Sequence, residues 1–483
     1  MDPLLDLTAL ELSAAFARRE LGVVEVTALA LRRAEQIGDA VGAFTTLAPE
    51  RALTQAAAAQ QLIDRGEAAA LTGVPTAIKD LEPTRGVRTT LGSAAFADWI
   101  PDVDDVVVTS IDAAGMVWIG KTTVPELGAA CYTEPEVAAP SRSPHDLTRS
   151  AAGSSGGAAS AVSARLVPVA QGSDTAGSLR SPASACGIVG FKPSRGLLTG
   201  GLGGTDGMGL SAKGPLALSV RDTAALLDVL AAAPPVGTVH PMRRTGFLAA
   251  CGEQVPRLRV AVATGSISGG PVDDAVADAV DSVGRLLSTL GHDVSGAVQP
   301  EDPVFVRSFT DLFSALAGAK PVPADQEARL RPIVRYLRSQ AREMNGARLA
   351  ASALTVQSAA GDWARTFDDV DIIVQPTITR LPAEVGGLRD DADPASELAA
   401  MIAFTGNTII ANATGFPAVS LPLGRTADGI PIGVMLTARW GCDDLLLAVS
   451  AQLEAASPWR HHLPRIAASA ADAASTPSSR SPH

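Results

Sequence analysis

The sequence predicts an α/β fold, and three observations carry the prediction. Short β-branched runs alternate with helical patches between residues 74 and 122, where Val106-Val107-Val108 and Met116-Val117-Trp118-Ile119 read as strand-like. Ala- and Leu-rich segments with charges three and four apart fill residues 7–66 and read as two or three amphipathic helices. Strand-like runs return at 257–263, 370–374 and 418–423, again separated by helical stretches.

Each element has a local reason. Gly73-Val74-Pro75 ends the N-terminal helical pattern, because Gly and Pro both break helices. Residues 149–214 are packed with Gly, Ser and Ala, which suits backbone that other groups approach closely. Ser219 is a good N-cap for a helix over 219–231. A Pro- and Gly-interrupted connector follows at 232–256, then a strand at 257–263 and a helix at 272–290. Residues 302–366 read as largely helical and 445–455 as a closing helix. The Ser/Ala/Pro-rich stretch 467–483 reads as a disordered tail. No internal repeat is visible.

Composition narrows the classes of function. At 46% apolar the chain can bury a sizeable core, and at 19% charged it has too few charges for wholesale disorder. A net charge of −12 without any basic run disfavours nucleic acid, whose phosphates need clustered Lys and Arg. Cys131, Cys186, Cys251 and Cys442 lie far apart with no CxxC pair, as in a reducing compartment. The start Met-Asp-Pro-Leu-Leu-Asp has no basic segment ahead of an apolar one, so no signal peptide is expected. No apolar run reaches the roughly 18 residues of a membrane span. The expectation is a soluble, cytoplasmic protein. His145, His240, His292, His461, His462 and His483 show no ligand spacing, so neither a metal nor another cofactor is expected.

Two short motif matches fail on context. Gly115-Met-Val-Trp-Ile-Gly-Lys-Thr122 fits the phosphate-loop pattern letter for letter. Its four variable positions are large and apolar, however, and read as a buried strand followed by a Gly-Lys turn, with a helix end before it. A phosphate cradle needs an exposed loop with inward-pointing amides. Gly153-Ser-Ser-Gly-Gly157 fits the GxSxG nucleophile elbow, but the residues ahead of it, 143–152, are too polar for the central strand an elbow follows.

A better nucleophile is Ser178, in Gly172-Ser-Asp-Thr-Ala-Gly-Ser-Leu-Arg180. Small residues at 175–177 let backbone amides approach a substrate, and residues 178–186 read as a short helix despite Pro182. Amides at such a start can stabilise an oxyanion. A nucleophilic serine needs a base. No histidine is suitably placed, and a desolvated neutral lysine can serve instead.

These segments resemble the amidase signature family over nearly the whole chain. The match is most specific over residues 150–193, with Gly-Ser-Ser-Gly-Gly, the Ser178 loop and Cys186-Gly-Ile-Val-Gly-Phe-Lys-Pro193. Upstream, Gly73-Val-Pro-Thr-Ala-Ile-Lys-Asp80 resembles the family's lysine segment. Ala413-Thr-Gly-Phe-Pro-Ala-Val-Ser-Leu-Pro-Leu-Gly424 and Asp428-Gly-Ile-Pro-Ile-Gly-Val434 resemble its closing strands. Thr133-Glu-Pro-Glu136 and the Ala-Gly-Ser form of the loop are most similar to the 6-aminohexanoate-cyclic-dimer hydrolase group and related actinobacterial amidases.

The resemblance implies a mixed, twisted central sheet with helices on both faces. It implies one domain over 1–466, with N-terminal helices 1–66, a catalytic core 67–230 and a variable substrate-funnel region about 300–400. It implies an amidase that works through an acyl-enzyme with a Ser-cisSer-Lys triad: Ser178 as nucleophile, Ser154 as the bridging serine at a cis peptide, Lys79 as base. The amides of Thr175, Ala176, Gly177 and Ser178 would form the oxyanion hole, braced by Ser155, Asp174 and Arg180. The partner would be a small-molecule amide, linear or cyclic, and a homodimer is left open as the assembly. Two alternatives share the fold: an amidotransferase subunit using glutamine with a partner, and an acyl-transferring pathway protein. Three positions depart from the family pattern: Ala152 and Ala176 where glycine is usual, and Ser143 where asparagine is common. The two alanines put methyl groups near the site and are expected to narrow the acyl pocket. Finally, Phe305, Phe309, Leu312, Phe313 and Leu316 form an apolar stripe at helical spacing. The stripe is expected to face the core, with one edge available to wall a pocket beside Ser178.

Overall fold

The computed structural model describes residues 3–201, 206–233, 242, 244–464 and 466. The expected tail, His240, His483 and residues 234–241 and 243 of the connector lie outside the described residues.

The N-terminal segment forms three helices, Ala9–Ala17, Val23–Val41 and Pro49–Asp64. Thr8 and Glu11 cap the first reciprocally, side chain to amide in both directions. Between the second and third lies a four-residue strand, β1 (Phe44–Leu47), which the helical periodicity around it concealed. β2 (Pro75–Lys79) and β3 (Val117–Thr122) pair in parallel, and β1 joins β3 to complete a three-stranded sheet. β3 runs straight through Gly120 and Lys121, so no Gly-Lys turn exists there, and Lys121 is fully buried. Val106-Val107-Val108 opens the helix Val106–Ala113 instead of a strand. The Asp105 side chain accepts the Val107 amide and fixes a helix start, which overrides the β propensity of the valines.

β4 (Arg142–Ser143) and β5 (Asp146–Ser150) make only a two-stranded ribbon. The large sheet has eight strands in the order β10-β9-β11-β13-β12-β7-β8-β6. These are β6 (Val169–Asp174), β7 (Val189–Lys192), β8 (Ala212–Ala217), β9 (Arg259–Val262), β10 (Asp293–Gly296), β11 (Ile372–Pro376), β12 (Ala418–Arg425) and β13 (Pro431–Ala438). β9 pairs in parallel with β10 and β11, and the remaining pairs are antiparallel, so the sheet is mixed. Every residue of β11 and β13 is buried, and successive side chains point to opposite faces. Both faces of the sheet centre are therefore covered.

The later helices follow the expected pattern: Val220–Ala231 capped by Ser219, Asp274–Thr289, Pro303–Ala319, Pro332–Glu343, Gly346–Thr366 and Asp443–Ala456. Two more, Pro394–Thr405 and Thr408–Thr414, have no counterpart in the sequence reading. The two sheets meet through side chains. β2 and β6 are edge strands, and Thr76 Oγ1 donates to the Val169 carbonyl at 3.0 Å while the Lys79 amide donates to Gln171 Oε1 at 3.0 Å. This bridge sets the end of β2 beside the end of β6, where the site forms.

Candidate active site

Lys79 is the last residue of β2 and is completely buried. Its Nζ has four oxygen neighbours: Ser155 Oγ at 2.7 Å, Ser154 Oγ at 2.9 Å, Ser173 Oγ at 3.0 Å and the Ser173 carbonyl at 3.2 Å. None is a carboxylate. An ammonium has three N–H groups, whereas a neutral amine offers a lone pair that a serine hydroxyl can donate to. Burial, only partly offset by the nearby Glu82 charge, pulls the Lys79 pKa from 10.5 down to about 7. Ser173 is a member of this cluster that the sequence reading passed over. Its signal was strand alternation: Gln171 and Ser173 lie two apart on β6 and both meet Lys79.

Ser154 sits in the turn ahead of the helix Gly156–Ser163, and the Gly153–Ser154 peptide is cis. A side chain on Gly153 would collide with the Tyr132 backbone at 2.9 Å, so only glycine fits there. The amide of Ser155 donates to the Ser178 carbonyl at 3.2 Å, which ties the two serine loops together.

Asp174 shapes the loop that carries Ser178. Its carboxylate accepts the amides of Gly177 at 2.8 Å and Leu179 at 3.1 Å, and Arg180 clamps both of its oxygens at 2.8 and 2.9 Å. Burial would raise this carboxyl, but the charge and hydrogen bonds of Arg180, with one from Asn412, hold it well below the usual range. Arg180 also donates to the Thr408 carbonyl and to Asn412 Oδ1. Thr408 and Asn412 are therefore parts of the brace that sequence reading missed, being more than 200 positions away. Gly177 has φ +118°, and a Cβ there would lie 2.4 Å from Thr408 Oγ1. The Gly177 amide is thus already held by Asp174. The short helix beyond the loop begins at Arg180 and not at Ser178.

Ser178 opens onto an apolar cleft, continuous with solvent, lined by Gly153, Ala176, Phe309, Phe313, Met401 and Ile409 among others. Phe305 and Leu312 of the same helix point into the core, and Phe309 does both. The stripe thus packs inward and walls the cleft with one edge. Ala176 lines the cleft, as expected of its methyl. Ala152 does not. It has φ +58° and packs with Tyr132 and Met401 in an apolar cluster, so glycine's usual place there has a backbone reason. Ser143 donates to the Ala185 carbonyl at 2.8 Å, away from the cleft. Among the described residues no cluster of three His, Cys, Asp or Glu is placed to hold a metal, and no helix is long and apolar enough to cross a membrane.

Likeness to known proteins gives the family. The family model for amidases matches residues 25–447. The putative amidase AmiB2 of Mycobacterium tuberculosis is 38% identical over 451 residues, covering 90% of this chain and 93% of the relative. The 6-aminohexanoate-cyclic-dimer hydrolase of Paenarthrobacter ureafaciens is 37% identical over 424 residues, covering 82% and 85%. A solved structure of 6-aminohexanoate cyclic dimer hydrolase complexed with substrate superposes with a TM-score of 0.85 at 31% identity, covering 95% of this chain and 99% of that one. On likeness of this extent in both sequence and fold, the chain belongs to the amidase signature family and is a hydrolase of carbon–nitrogen bonds.

Proposed function

We propose that this enzyme hydrolyses a small carboxylic amide with an apolar acyl group through an acyl-enzyme on Ser178. The observation that carries the reading is the buried Lys79 amine, which touches hydroxyls and a carbonyl but no carboxylate among the described residues. Neutral Lys79 takes a proton from Ser154, and Ser154 takes one from Ser178. Ser178 Oγ attacks the carbonyl carbon, and the amides of Thr175, Ala176 and Ser178 hold the developing oxyanion. The proton returns through Ser154 to the leaving nitrogen as the C–N bond breaks. Water then enters, loses its proton along the same relay and releases the acid. Ser155, Asp174 and Arg180 are positioning residues: Ser155 holds Lys79 Nζ, and the Asp174–Arg180 pair holds the Ser178 loop. Residues 1–466 act as one domain on this reading, supported by a core that runs from Ala9 to Ile466. A cytoplasmic setting suits the four unpaired cysteines.

The test is a panel of amides assayed with the isolated chain, with intact-mass detection of an acyl group on Ser178. An acylated Ser178 and release of the free amine are expected. Amide turnover seen only with a second protein and glutamine would favour the amidotransferase alternative, and acyl delivery to an amine over water would favour the transferase.

A further inference from the structure

Two compartments meet beside Ser178, at Gly128 and Phe313. The first is the apolar cleft described above. The second is lined by Arg195, Asp206, Lys213 and Lys320, with Ser173 and Thr175 at its inner end. The amidase reading, on which this inference rests, says which half of the substrate each takes. The leaving nitrogen must receive its proton from the Lys79–Ser154 relay. Ser173, 3.0 Å from Lys79 Nζ, and Leu81 line the second compartment and not the first. The amine half therefore lies in the charged compartment and the acyl half in the apolar one.

The charges in that compartment do not cancel. Asp206 directs its oxygens at the amides of Met208, Gly209, Leu210 and Ser211. Arg195 donates to the backbone carbonyls of Gly209, Asn412 and Ala413. Lys213 is paired with Glu82. Lys320 donates to the Leu127 carbonyl and, among the described residues, joins no ion pair. Burial, together with the Lys213 charge, lowers its pKa to about 8, which leaves it mostly protonated at neutral pH. With Glu82 counted behind Lys213, three cations meet two acids, and a net positive charge lines a concave surface on a protein of net charge −12. Such a local reversal of sign concentrates anions.

We infer that the preferred substrate carries a carboxylate on its amine half and that Lys320 receives it. An amide of an amino acid or of an aminobenzoate has this character. Lys320 is then a specificity-determining residue, and Lys213, held by Glu82, adds to the field without being free to contact the anion.

The test compares hexanoyl anilides carrying a para-carboxylate or the neutral para-carboxamide, so that the leaving groups stay electronically close. The expected kcat/KM ratio favours the carboxylate by about tenfold, the scale of one charge-assisted hydrogen bond. It should shrink with added salt. Lys320→Met should bring the ratio to about one, mainly through KM, and Lys320→Arg should preserve it. A carboxylate at the acyl end, as in adipic acid mono-anilide, should give no advantage. A wild-type ratio near one, a ratio untouched by Lys320→Met, or equal loss on both substrates in Lys320→Met and Lys320→Arg would overturn the inference. Calorimetry of 4-aminobenzoate against 4-aminobenzamide on Ser178→Ala keeps the two failures apart. If no anilide is cleaved and a hexanoyl nitrophenyl ester leaves Ser178 unacylated, the amidase reading fails, while the difference in product binding still decides for or against an anion site.

Discussion

Two lysines on neighbouring strands of the small sheet, Lys79 and Lys121, are both completely buried, yet their surroundings differ in kind. Lys121 Nζ contacts the Glu82 carbonyl, Thr84 Oγ1 and Thr89 Oγ1, and it lies 3.6 Å from Asp80 Oδ1. Lys79 meets three serines and no acid. Burial lowers both, Lys121 to about 8 and Lys79 to about 7, so burial alone does not distinguish them. The partner does. A buried ammonium beside a buried carboxylate is locked in its charged form by the cost of leaving either ion alone. A buried amine among hydroxyls has no such lock and can exchange a proton with them. Lys121 is therefore read as structural, and Lys79 as the group that can act as a base.

The largest effect expected from breaking this comparison is at the end of the relay. Ser178→Ala should lower turnover by about 10³-fold or more while the circular-dichroism spectrum stays native. Retained turnover would remove Ser178 from the reaction.

The lysines themselves should then separate activity from stability. Lys79→Met should abolish turnover in a protein of near wild-type stability, because removing a buried amine that has no ion-pair partner offsets the hydrogen bonds its serine neighbours lose. Lys121→Met should do the reverse. It leaves Asp80 Oδ1, which accepts no hydrogen bond, without its ion-pair partner, and should cost about 3–5 kcal/mol in denaturant unfolding. Activity per folded molecule should stay near wild type. If Lys121→Met is inactive but stable, the assignment of the two lysines is reversed.

Smaller effects belong to the cleft wall. Phe313 is half-buried, so Phe313→Ala should change the ranking of short and long acyl groups by about 1–3 kcal/mol in relative kcat/KM, with little loss of stability. Phe309 is 3% exposed and also packs in the core, so Phe309→Ala should shift the same ranking and cost about 3–5 kcal/mol of stability. Smallest of all, chelators and ATP should leave turnover unchanged, since Lys121 lies inside a strand and not in a phosphate loop. Metal-dependent turnover, or ATP hydrolysis lost in Lys121→Met, would contradict this.

What the sequence made legible follows the range of the interactions. Elements defined by local chemistry were readable: Ser219 capping its helix, the amphipathic helices before Gly73, the buried strand at 117–119. Elements whose identity depends on distant partners were not. β1 is a strand because β3 lies beside it, and the helix Thr408–Thr414 is short and apolar with no periodic signature of its own. The candidate site divides in the same way. Lys79, Ser154 and Ser178 stood in recognisable segments, and Lys79 does meet Ser154 at 2.9 Å. Ser173 needed the face of β6 to be known, and Thr408 and Asn412 needed the tertiary fold that brings them to Arg180. The Gly177 amide was grouped with the oxyanion donors on the family resemblance, and that resemblance does not show that Asp174 accepts this amide.

The central claim is that Lys79 must be neutral to start the relay, and the most direct measurement is the pH dependence of Ser178 acylation. A single-turnover rate followed by intact mass should rise with pH through an inflection near 7, because deprotonation creates the base. The same shift has a stability counterpart. Between about 7 and 10.5 the unfolded chain holds a proton on this lysine that the folded chain has released, so its contribution to stability grows as pH rises across that window. Lys79→Arg, which keeps a charge it cannot lose, should show neither the inflection nor appreciable acylation. A rate that is flat from pH 6 to 9, or an inflection that survives in Lys79→Arg, would contradict the account.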